Sequence, residues 1–305
     1  MASRARSKIL TTVVCLSAGS AALAGGDVPT EFTNQGGIKN TRHNLTQNVP
    51  GINSSLMDLQ RNNYGEICVY CHTPHGANTT PGMPLWNRQT PTGPYTTYDQ
   101  LNTTTLTQTV TSPGANSLTC LSCHDGSLAI DAIMNMPGPG RYSANPDISF
   151  LNQWANPGGS TSSHAHMGDP TGANPSTGCM VCHNDGGSGN SFPDATDFSV
   201  FLIGTDLRND HPVGVSFPSS GAAAGFNTPT PVSSSLAVFD TNGNNRANTN
   251  EIRVYDTGEG FEVECASCHD PHGVPSAGPG STHYPTFLRV DNSNGSAVCL
   301  TCHIK

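Results

Sequence analysis

The sequence has few of the side chains that usually build a protein core. Only 34% of its 305 residues are hydrophobic, and only 6% are aromatic. Glycine and proline are abundant instead, at 33 and 23 residues. This composition ordinarily indicates a loop-rich chain that cannot bury enough apolar surface to fold unaided. We therefore expect the protein to have another source of buried surface.

Positive charge is also scarce. The formal net charge is −9 with histidine neutral, and the chain has only three lysines, at Lys8, Lys39 and Lys305. After the first 24 residues, no cluster of Lys and Arg is present that could neutralise a row of phosphates. The sequence therefore argues against binding to nucleic acid.

Long hydrophobic runs are absent after the first residues of the chain. At the start, residues 1–24 have the features of a secretory signal: three basic residues, a mostly apolar or small stretch at 9–23, and an A-x-A cleavage site ending at Ala24. Its removal would take away three basic residues and change the net charge from −9 to −12. No later run approaches the roughly 20 residues needed to span a bilayer. We expect a secreted protein, extracellular or associated with the outer surface, with the periplasm as the alternative.

Cysteine, in contrast, is plentiful and follows one pattern. Ten of the eleven cysteines lie in five Cys-x-x-Cys-His motifs. Two thiols at this spacing can add to the two vinyl groups of one porphyrin edge, and the adjacent histidine can then bind the iron. The motifs predict five covalently attached haems c. The attaching residues are Cys68, Cys71, Cys120, Cys123, Cys179, Cys182, Cys265, Cys268, Cys299 and Cys302, and the proximal ligands are His72, His124, His183, His269 and His303.

Two other uses of paired cysteines fit the pattern less well. A closed zinc site takes two Cys-x-x-Cys pairs, so five pairs would leave one unused. A disulfide scaffold gives no reason for histidine to follow every pair. Haem attachment explains all five motifs, and only Cys15, inside the signal, is left over.

Haems would also supply the buried surface that the side chains lack. About 281 residues remain after the signal, or one haem for about 56 residues. We expect a mostly irregular, loop-rich fold with short helices near the motifs and a few short strands, wrapped around a chain of stacked haems. Strand character is clearest at residues 198–203, and residues 235–239 and 252–255 flank a polar loop as in a hairpin.

The motifs form an internal repeat. The segment Cys68–Gly76 is matched by Cys265–Gly273, and a simpler motif follows each of them. We therefore predict one pentahaem electron-transfer unit over residues 25–305. It would contain a first module at about 38–130, a second module at about 205–305, and a central single-haem insertion at about 155–191.

Seven histidines lie outside the motifs and are candidates for the sixth ligand of each iron. His75 and His272 each follow a proximal histidine by three residues. Three residues reach at most about 10 Å, too short to pass around a porphyrin to its other face. We expect both to bind a neighbouring haem, across a link that Pro74 or Pro271 stiffens.

The remaining distal ligands are assigned from position. His43 precedes the first motif, and His211 lies in an extended segment before a proline. For the fifth ligand we favour His166, just ahead of the central motif, with His164 and then His283 as substitutes.

A polar loop has a weaker resemblance to a calcium site. Asp240, Asn242, Asn244 and Glu251 occupy positions 1, 3, 5 and 12 of an EF-hand pattern. The glycine expected at position 6 is replaced by Asn245. An asparagine-rich hairpin turn explains the same residues, and we favour it.

Several segments resemble multihaem c-type cytochromes of the paired Cys-x-x-Cys-His type. They are Cys68–Gly76, Pro84–Asn87, Cys120–Gly126, Gly204–Val213 and Cys265–His303. The likeness is to proteins exported by metal-reducing bacteria, some of which polymerise into extracellular haem nanowires. The resemblance implies a continuous chain of bis-histidine haems, with His43, His75, His211 and His272 in distal positions. In filament-forming members a subunit gives one distal histidine to its neighbour's haem.

These observations favour an electron-transfer protein without enzymatic activity. Its partners would be upstream and downstream redox proteins or extracellular electron acceptors, and copies of itself in a homopolymer. One alternative is a soluble periplasmic carrier. A less favoured alternative is a pentahaem oxidoreductase with one open iron, resembling nitrite reductases, whose catalytic haem typically has a lysine ligand in place of the motif histidine. None of the five motifs here departs in that way.

Overall fold

The computed structural model describes the two predicted modules and parts of the central insertion. The described residues are 37–46, 60–61, 64, 66–135, 164–171, 177–184, 197–273, 287–292 and 296–305. The predicted signal at 1–24 and the reserve ligand His283 lie outside these ranges.

Helices in the described ranges are short, and each of the five motifs begins in a helical turn. The α-helices are α1 (Ala115–His124), α2 (Cys265–Cys268) and α3 (Ala297–Cys302). The 3-10 helices are Ile38–Asn40, Cys68–Tyr70, Tyr98–Leu101, Gly178–Val181, Ser199–Phe201 and Gly221–Ala224. The expected short helices near the motifs are therefore present. No helix within the described ranges has the length and apolar character needed to cross a membrane.

A small antiparallel sheet lies in the second module. Its strands are β1 (Val215–Ser216), β2 (Thr230–Pro231), β3 (Leu236–Val238), β4 (Arg253–Asp256) and β5 (Phe261–Val263). Their spatial order is β1-β5-β4-β3-β2. Strands β3 and β4 pair with Ala237 opposite Val254, so the predicted hairpin is confirmed.

The predicted strand character at residues 198–203 is wrong. This segment contains the 3-10 turn Ser199–Phe201. The carboxylate of Asp197 accepts hydrogen bonds from the backbone N–H and the hydroxyl of Ser199, both at 2.8 Å. Such local side-chain bonds favour a turn over a strand. The chain then runs on to Ile203, whose N–H donates to the carbonyl of His124 at 2.8 Å.

Among the described residues, buried apolar side chains form two small clusters, one in each module. The cluster of the first module contains Tyr64, Val69, Tyr70 and Ile133, with Cys71 packed against it. The cluster of the second module contains Ala237, Phe239, Ile252 and Val254, with Cys268 and Cys302 packed against it. Both clusters therefore lie directly beside motif cysteines.

A short segment pairs with the leading motif of the first module, and we call it the first strap (Leu85–Asn87). The N–H of Thr73 donates to the carbonyl of Leu85, and the N–H of Asn87 donates to that of Cys71, both at 2.8 Å. The two bonds form an antiparallel bridge between His72 and Trp86.

An equivalent segment pairs with the leading motif of the second module, and we call it the second strap (Phe287–Arg289). The N–H of Asp270 donates to the carbonyl of Phe287 at 2.9 Å, and the N–H of Arg289 donates to that of Cys268 at 2.7 Å. Leu85 and Phe287, the first residues of the two straps, both have positive φ angles, of 57° and 60°. The sequence repeat is thus also a structural repeat, and it extends to straps whose sequences differ.

Candidate functional site

The five motifs share one local geometry. In four of them the histidine N–H donates to the carbonyl of the first cysteine, at 2.7 Å for His72, 3.0 Å for His183, 3.1 Å for His269 and 2.9 Å for His303. The fifth motif, Cys120–His124, lies inside α1. A single helical turn therefore holds the two thiols and the imidazole of each motif together.

The ten motif cysteines are free thiols; Cys68 and Cys299 are exposed, and the other eight are partly buried. Burial, as the main cause, raises the pKa of Cys71 and Cys179 to about 12 and that of Cys265 and Cys268 to about 11. Uncharged thioether links to a porphyrin suit such surroundings, so the residues fit haem attachment.

Two pairs of imidazole rings have the separation that one shared iron requires. The ring centroids of His72 and His272 are 6.2 Å apart, with an interplanar angle of 17°. Those of His43 and His124 are 6.1 Å apart, at 77°. With metal–nitrogen bonds of about 2 Å on each side, two imidazoles on one metal have centroids roughly 6 Å apart. Both pairs join a motif histidine to a predicted distal histidine.

The other nitrogen of each paired ring is held by an oxygen. The Nδ1 atom lies 2.8 Å from the carbonyl of Pro271 in His43, 3.0 Å from that of Pro84 in His72, and 2.8 Å from that of Phe201 in His124. In His272 it lies 3.2 Å from a carboxylate oxygen of Asp270. An Nδ1–H that donates to these oxygens fixes the ring and leaves Nε2 free to bind a metal.

The histidines near the C-terminal motif also lie close together. His211 lowers the pKa of His303, after burial, which is the larger cause. The Nδ1 atom of His211 lies 2.9 Å from the carbonyl of Pro212. The predicted partner of this motif is therefore in its neighbourhood.

The central motif has a different environment. The ring of His183 stacks on Phe198, with centroids 3.9 Å apart. His166 contacts the motif through its backbone, because its carbonyl accepts from the N–H of Cys179 at 2.9 Å. His164 is buried, with Nδ1 at 2.6 Å from the carboxylate of Asp131. The choice between His164 and His166 stays a prediction.

His75 stands apart from the other predicted ligands. It is exposed, and the hydroxyl of Thr73 donates to its carbonyl at 3.0 Å. Within the described part of the chain no ring contacts that of His75. The structure thus brings together three of the predicted distal histidines with motif histidines, and it leaves His75 at the surface.

Neighbouring motifs influence each other's thiols, which gives their order in space. After burial, Cys123 raises the pKa of Cys71, and Cys265 raises that of Cys120. Burial is again the larger cause for Cys302 and Cys268; after it, Cys268 raises the pKa of Cys302, and Cys299 raises that of Cys268. The motifs that begin at 68, 120, 265 and 299 are therefore neighbours in that order.

The second and third of these neighbours are joined by a buried carboxyl. Glu264 precedes α2, and it accepts hydrogen bonds from the hydroxyl of Ser117 in α1 and from the N–H of Gly114, the latter at 3.0 Å. The N–H of Cys265 donates to the same Ser117 hydroxyl at 2.9 Å. Burial raises the pKa of Glu264 to about 7, and these two hydrogen bonds oppose the rise.

Sequence reasoning missed two buried arginines. Arg88 follows the first strap and donates to the Ser122 hydroxyl at 3.0 Å and to the carbonyls of Ser122, Ala129 and Ile130 at 2.8, 2.9 and 2.8 Å. It therefore fixes the turn of the second motif. The scarcity of basic residues was a usable signal, since few basic side chains are available to serve as buried donors.

Arg289, the last residue of the second strap, has a similar position. It donates to the carbonyl of Ala266 at 3.1 Å, to that of Thr249 at 2.9 Å, and to the carboxylate of Asp270 at 2.9 Å. It thereby links the strap to the motif that begins at Cys265.

The predicted calcium loop is closed by its own hydrogen bonds. The carboxylate of Asp240 accepts from the backbone of four residues, Asn242 to Asn245, at 2.8 to 3.3 Å. The buried carboxylate of Glu251 accepts from Thr241 and from the N–H of Asn248. No group of three or more His, Cys, Asp and Glu side chains able to hold a metal occurs in the described ranges. Calcium binding stays a prediction that these contacts do not favour.

One comparison with known proteins is positive. A family model described as a doubled CXXCH motif matches residues 259–305, which contain the last two motifs and the second strap. No curated protein matches the chain. Residues 259–305 are a haem-binding region like those of c-type cytochromes, and they associate the chain with electron transfer.

Proposed function

We propose that the chain is a multihaem c-type cytochrome that carries electrons along five closely spaced bis-histidine haems. The observation that carries this proposal is the pair of imidazole separations at His72–His272 and His43–His124, 6.2 and 6.1 Å. In both pairs a motif histidine faces a histidine from a distant part of the chain, as closed irons require.

Bound haem would supply a one-electron Fe(III)/Fe(II) couple, and the chain would supply positions and surroundings. Each motif holds two thiols and an imidazole on one turn. The segment from His269 to His272 connects three sites: His269 belongs to its own motif, the carbonyl of Pro271 holds His43 opposite His124, and His272 faces His72. A few covalent bonds thus keep three sites within electron-transfer distance.

Closed irons also separate this proposal from the enzyme alternative. An oxidoreductase needs one iron with an open position, and carbon monoxide binds such an iron when it is reduced. We expect the reduced, haem-loaded protein to bind no stoichiometric carbon monoxide, and the His272→Ala variant to bind one equivalent. One equivalent bound by the unaltered protein would refute the closed conduit and favour the oxidoreductase.

We further propose that the protein is secreted and acts as a subunit of an extracellular cytochrome filament. The resemblance to filament-forming cytochromes supports this, and so does the exposed His75, which a second copy of the chain could use. Both ends of the described chain also lie near candidate sites, His43 at one end and His303 at the other.

Cryo-electron microscopy of secreted material tests the filament. Polymers with a distal histidine crossing between subunits are the expected result. Monomers with five internally closed haems would refute the filament and leave a soluble periplasmic carrier as the function.

A further inference from the structure

The Nδ1 atoms of the candidate ligands have two kinds of partner. In His43, His72, His124, His166 and His211 a backbone carbonyl lies within 2.5 to 3.0 Å of Nδ1. In His272 the partner is a carboxylate oxygen of Asp270, at 3.2 Å, and the same oxygen accepts from the backbone N–H of His272 at 3.0 Å. The substitute candidate His164 also has a carboxylate partner, that of Asp131 at 2.6 Å. A carboxylate on a ligating histidine raises its basicity more than a neutral carbonyl does.

The carboxylate of Asp270 is also paired with a buried cation. Arg289 donates to the other carboxylate oxygen at 2.9 Å. The side chains of Arg289 and Asp270 are only 4% and 11% exposed, so water screens the pair weakly.

The structural repeat provides an internal comparison. Thr73 occupies the position of Asp270, because each donates its N–H to the first residue of a strap. Asn87 occupies the position of Arg289: its amide donates to Val69 as Arg289 donates to Ala266, each to the residue after the first motif cysteine. The first module therefore has two neutral residues where the second has an ion pair.

We infer that Asp270 lowers the reduction potential of the haem at the Cys68 motif through the ring of His272. The inference rests on the proposed function, in which His72 and His272 bind the two faces of one iron. The carboxylate draws the Nδ1 proton toward itself, so the ring donates more electron density and stabilises Fe(III) over Fe(II). Reduction adds one electron to the iron, and the Nδ1 proton stays between His272 and Asp270 in both states. Arg289 moderates the effect because it holds the second carboxylate oxygen.

Spectroelectrochemical titration of the haem-loaded protein tests the inference. We expect Asp270→Asn to change the Fe(III)/Fe(II) equilibrium of one haem by about tenfold in favour of Fe(II), which is about 59 mV for a one-electron couple. The other four haems should titrate as before. Asp99→Asn, which removes an exposed carboxylate, is the matched control and should change none of the five.

A second variant tests the route of the effect. In a His272→Met background no imidazole Nδ1 is present, so adding Asp270→Asn should produce less than a twofold further change. An undiminished change would show that the carboxylate acts through space, for example on the haem of His269, and would overturn the inference.

A third variant keeps the test valid if Asp270→Asn fails to fold. The double substitution Asp270→Thr and Arg289→Asn gives the second module the neutral pair of the first, with no buried charge unpaired. The same rise in one potential is expected, and five unchanged potentials in this folded variant would refute the inference. Failure of the proposed function would be seen separately, as fewer than five haems or as high-spin irons in the unaltered protein.

Discussion

The turn that carries Cys68 and the turn that carries Cys265 begin differently. The first starts after Ile67, has no side-chain cap and forms a 3-10 turn. The second starts after Glu264, which forms a capping box with Ser267, and it is α-helical. Equivalent motifs in one chain are therefore supported in two ways.

The support of the first turn comes from packing. Val69 and Tyr70, the two residues between its cysteines, are buried against Tyr64 and Ile133. In the second turn the corresponding residues are Ala266 and Ser267, and hydrogen bonds from Arg289 and Glu264 replace the apolar contacts. A Cys-x-x-Cys-His turn thus needs a fixed backbone, and either apolar burial or polar capping can provide it.

The largest loss of stability that we expect comes from replacing Arg88 in the first module. Arg88→Met removes four hydrogen bonds from a fully buried cation and leaves three buried carbonyls without this donor. We expect a loss of about 4 kcal/mol in the free energy of unfolding, since bonds from charged donors contribute more than neutral ones. Urea unfolding of the haem-loaded protein measures it. Replacement of the exposed Arg208 by Met should leave the free energy of unfolding nearly unchanged, and equal losses in the two variants would contradict the role assigned to Arg88.

The next largest effect on stability should come from Glu264, whose carboxyl joins the Cys120 and Cys265 motifs, and this effect should depend on pH. Burial raises the pKa of Glu264 from its usual value of 4.5 to about 7 in the folded protein. A raised carboxyl pKa means that its contribution to stability is fully present below pH 4.5 and is lost as the pH rises through 7. The loss amounts to about 3 kcal/mol.

Glu264→Gln removes this titration, so the variant should be more stable than the unaltered protein above pH 7 and nearly equal to it at pH 4. Unfolding midpoints between pH 4 and pH 8 check the difference. Glu259→Gln, at an exposed position, is the control. If the unfolding midpoints of the unaltered protein and of Glu264→Gln changed with pH in parallel, the raised pKa would not belong to Glu264.

A smaller loss of stability is expected when Asn87 in the first strap is replaced. The amide of Asn87 donates to the carbonyls of Val69 and Asn135 at 2.7 and 3.0 Å, and its oxygen accepts from the N–H of Asn135 at 2.9 Å. Asn87→Ala leaves these buried groups without partners and should cost about 2 kcal/mol. Asn227→Ala, which removes an exposed amide bonded to two carbonyls, should cost less than about 0.5 kcal/mol in the same unfolding assay.

The smallest effect concerns the capping box. Ser267→Ala removes the hydroxyl that accepts from the N–H of Glu264 at 2.9 Å. A lost cap typically costs about 1 kcal/mol. Thermal unfolding of this variant and of the exposed control Ser233→Ala would show whether the second turn depends on its cap; identical midpoints would show that packing supports both turns.

The sequence was sufficient to predict structural features that depend on the spacing of residues close along the chain. The helical turns at the motifs, the β3–β4 hairpin and the repeat of Cys68–Gly76 in Cys265–Gly273 were predicted, because each depends on residues close along the chain. Residues 198–203 were wrongly predicted as a strand, because their apolar side chains were given more weight than Asp197, whose carboxylate favours a turn at Ser199.

The straps, the arginine contacts and the partners of individual histidines required the structure. Phe287–Arg289 shares no sequence pattern with Leu85–Asn87, and the two straps are equivalent only through backbone hydrogen bonds. Pairing His72 with His272 means choosing among seven histidines outside the motifs. No local rule makes that choice, because it depends on how distant segments pack.

The pairing of His72 with His272 also has a consequence for how the protein is made. Synthesis proceeds from the N-terminus, so the Cys68 motif emerges about 200 residues before the histidine that faces it. Under the proposed function, the haem of this first motif is therefore among the last to gain its second axial histidine. A chain truncated before residue 272 would lack that histidine, so closure of this iron would require synthesis at least as far as residue 272.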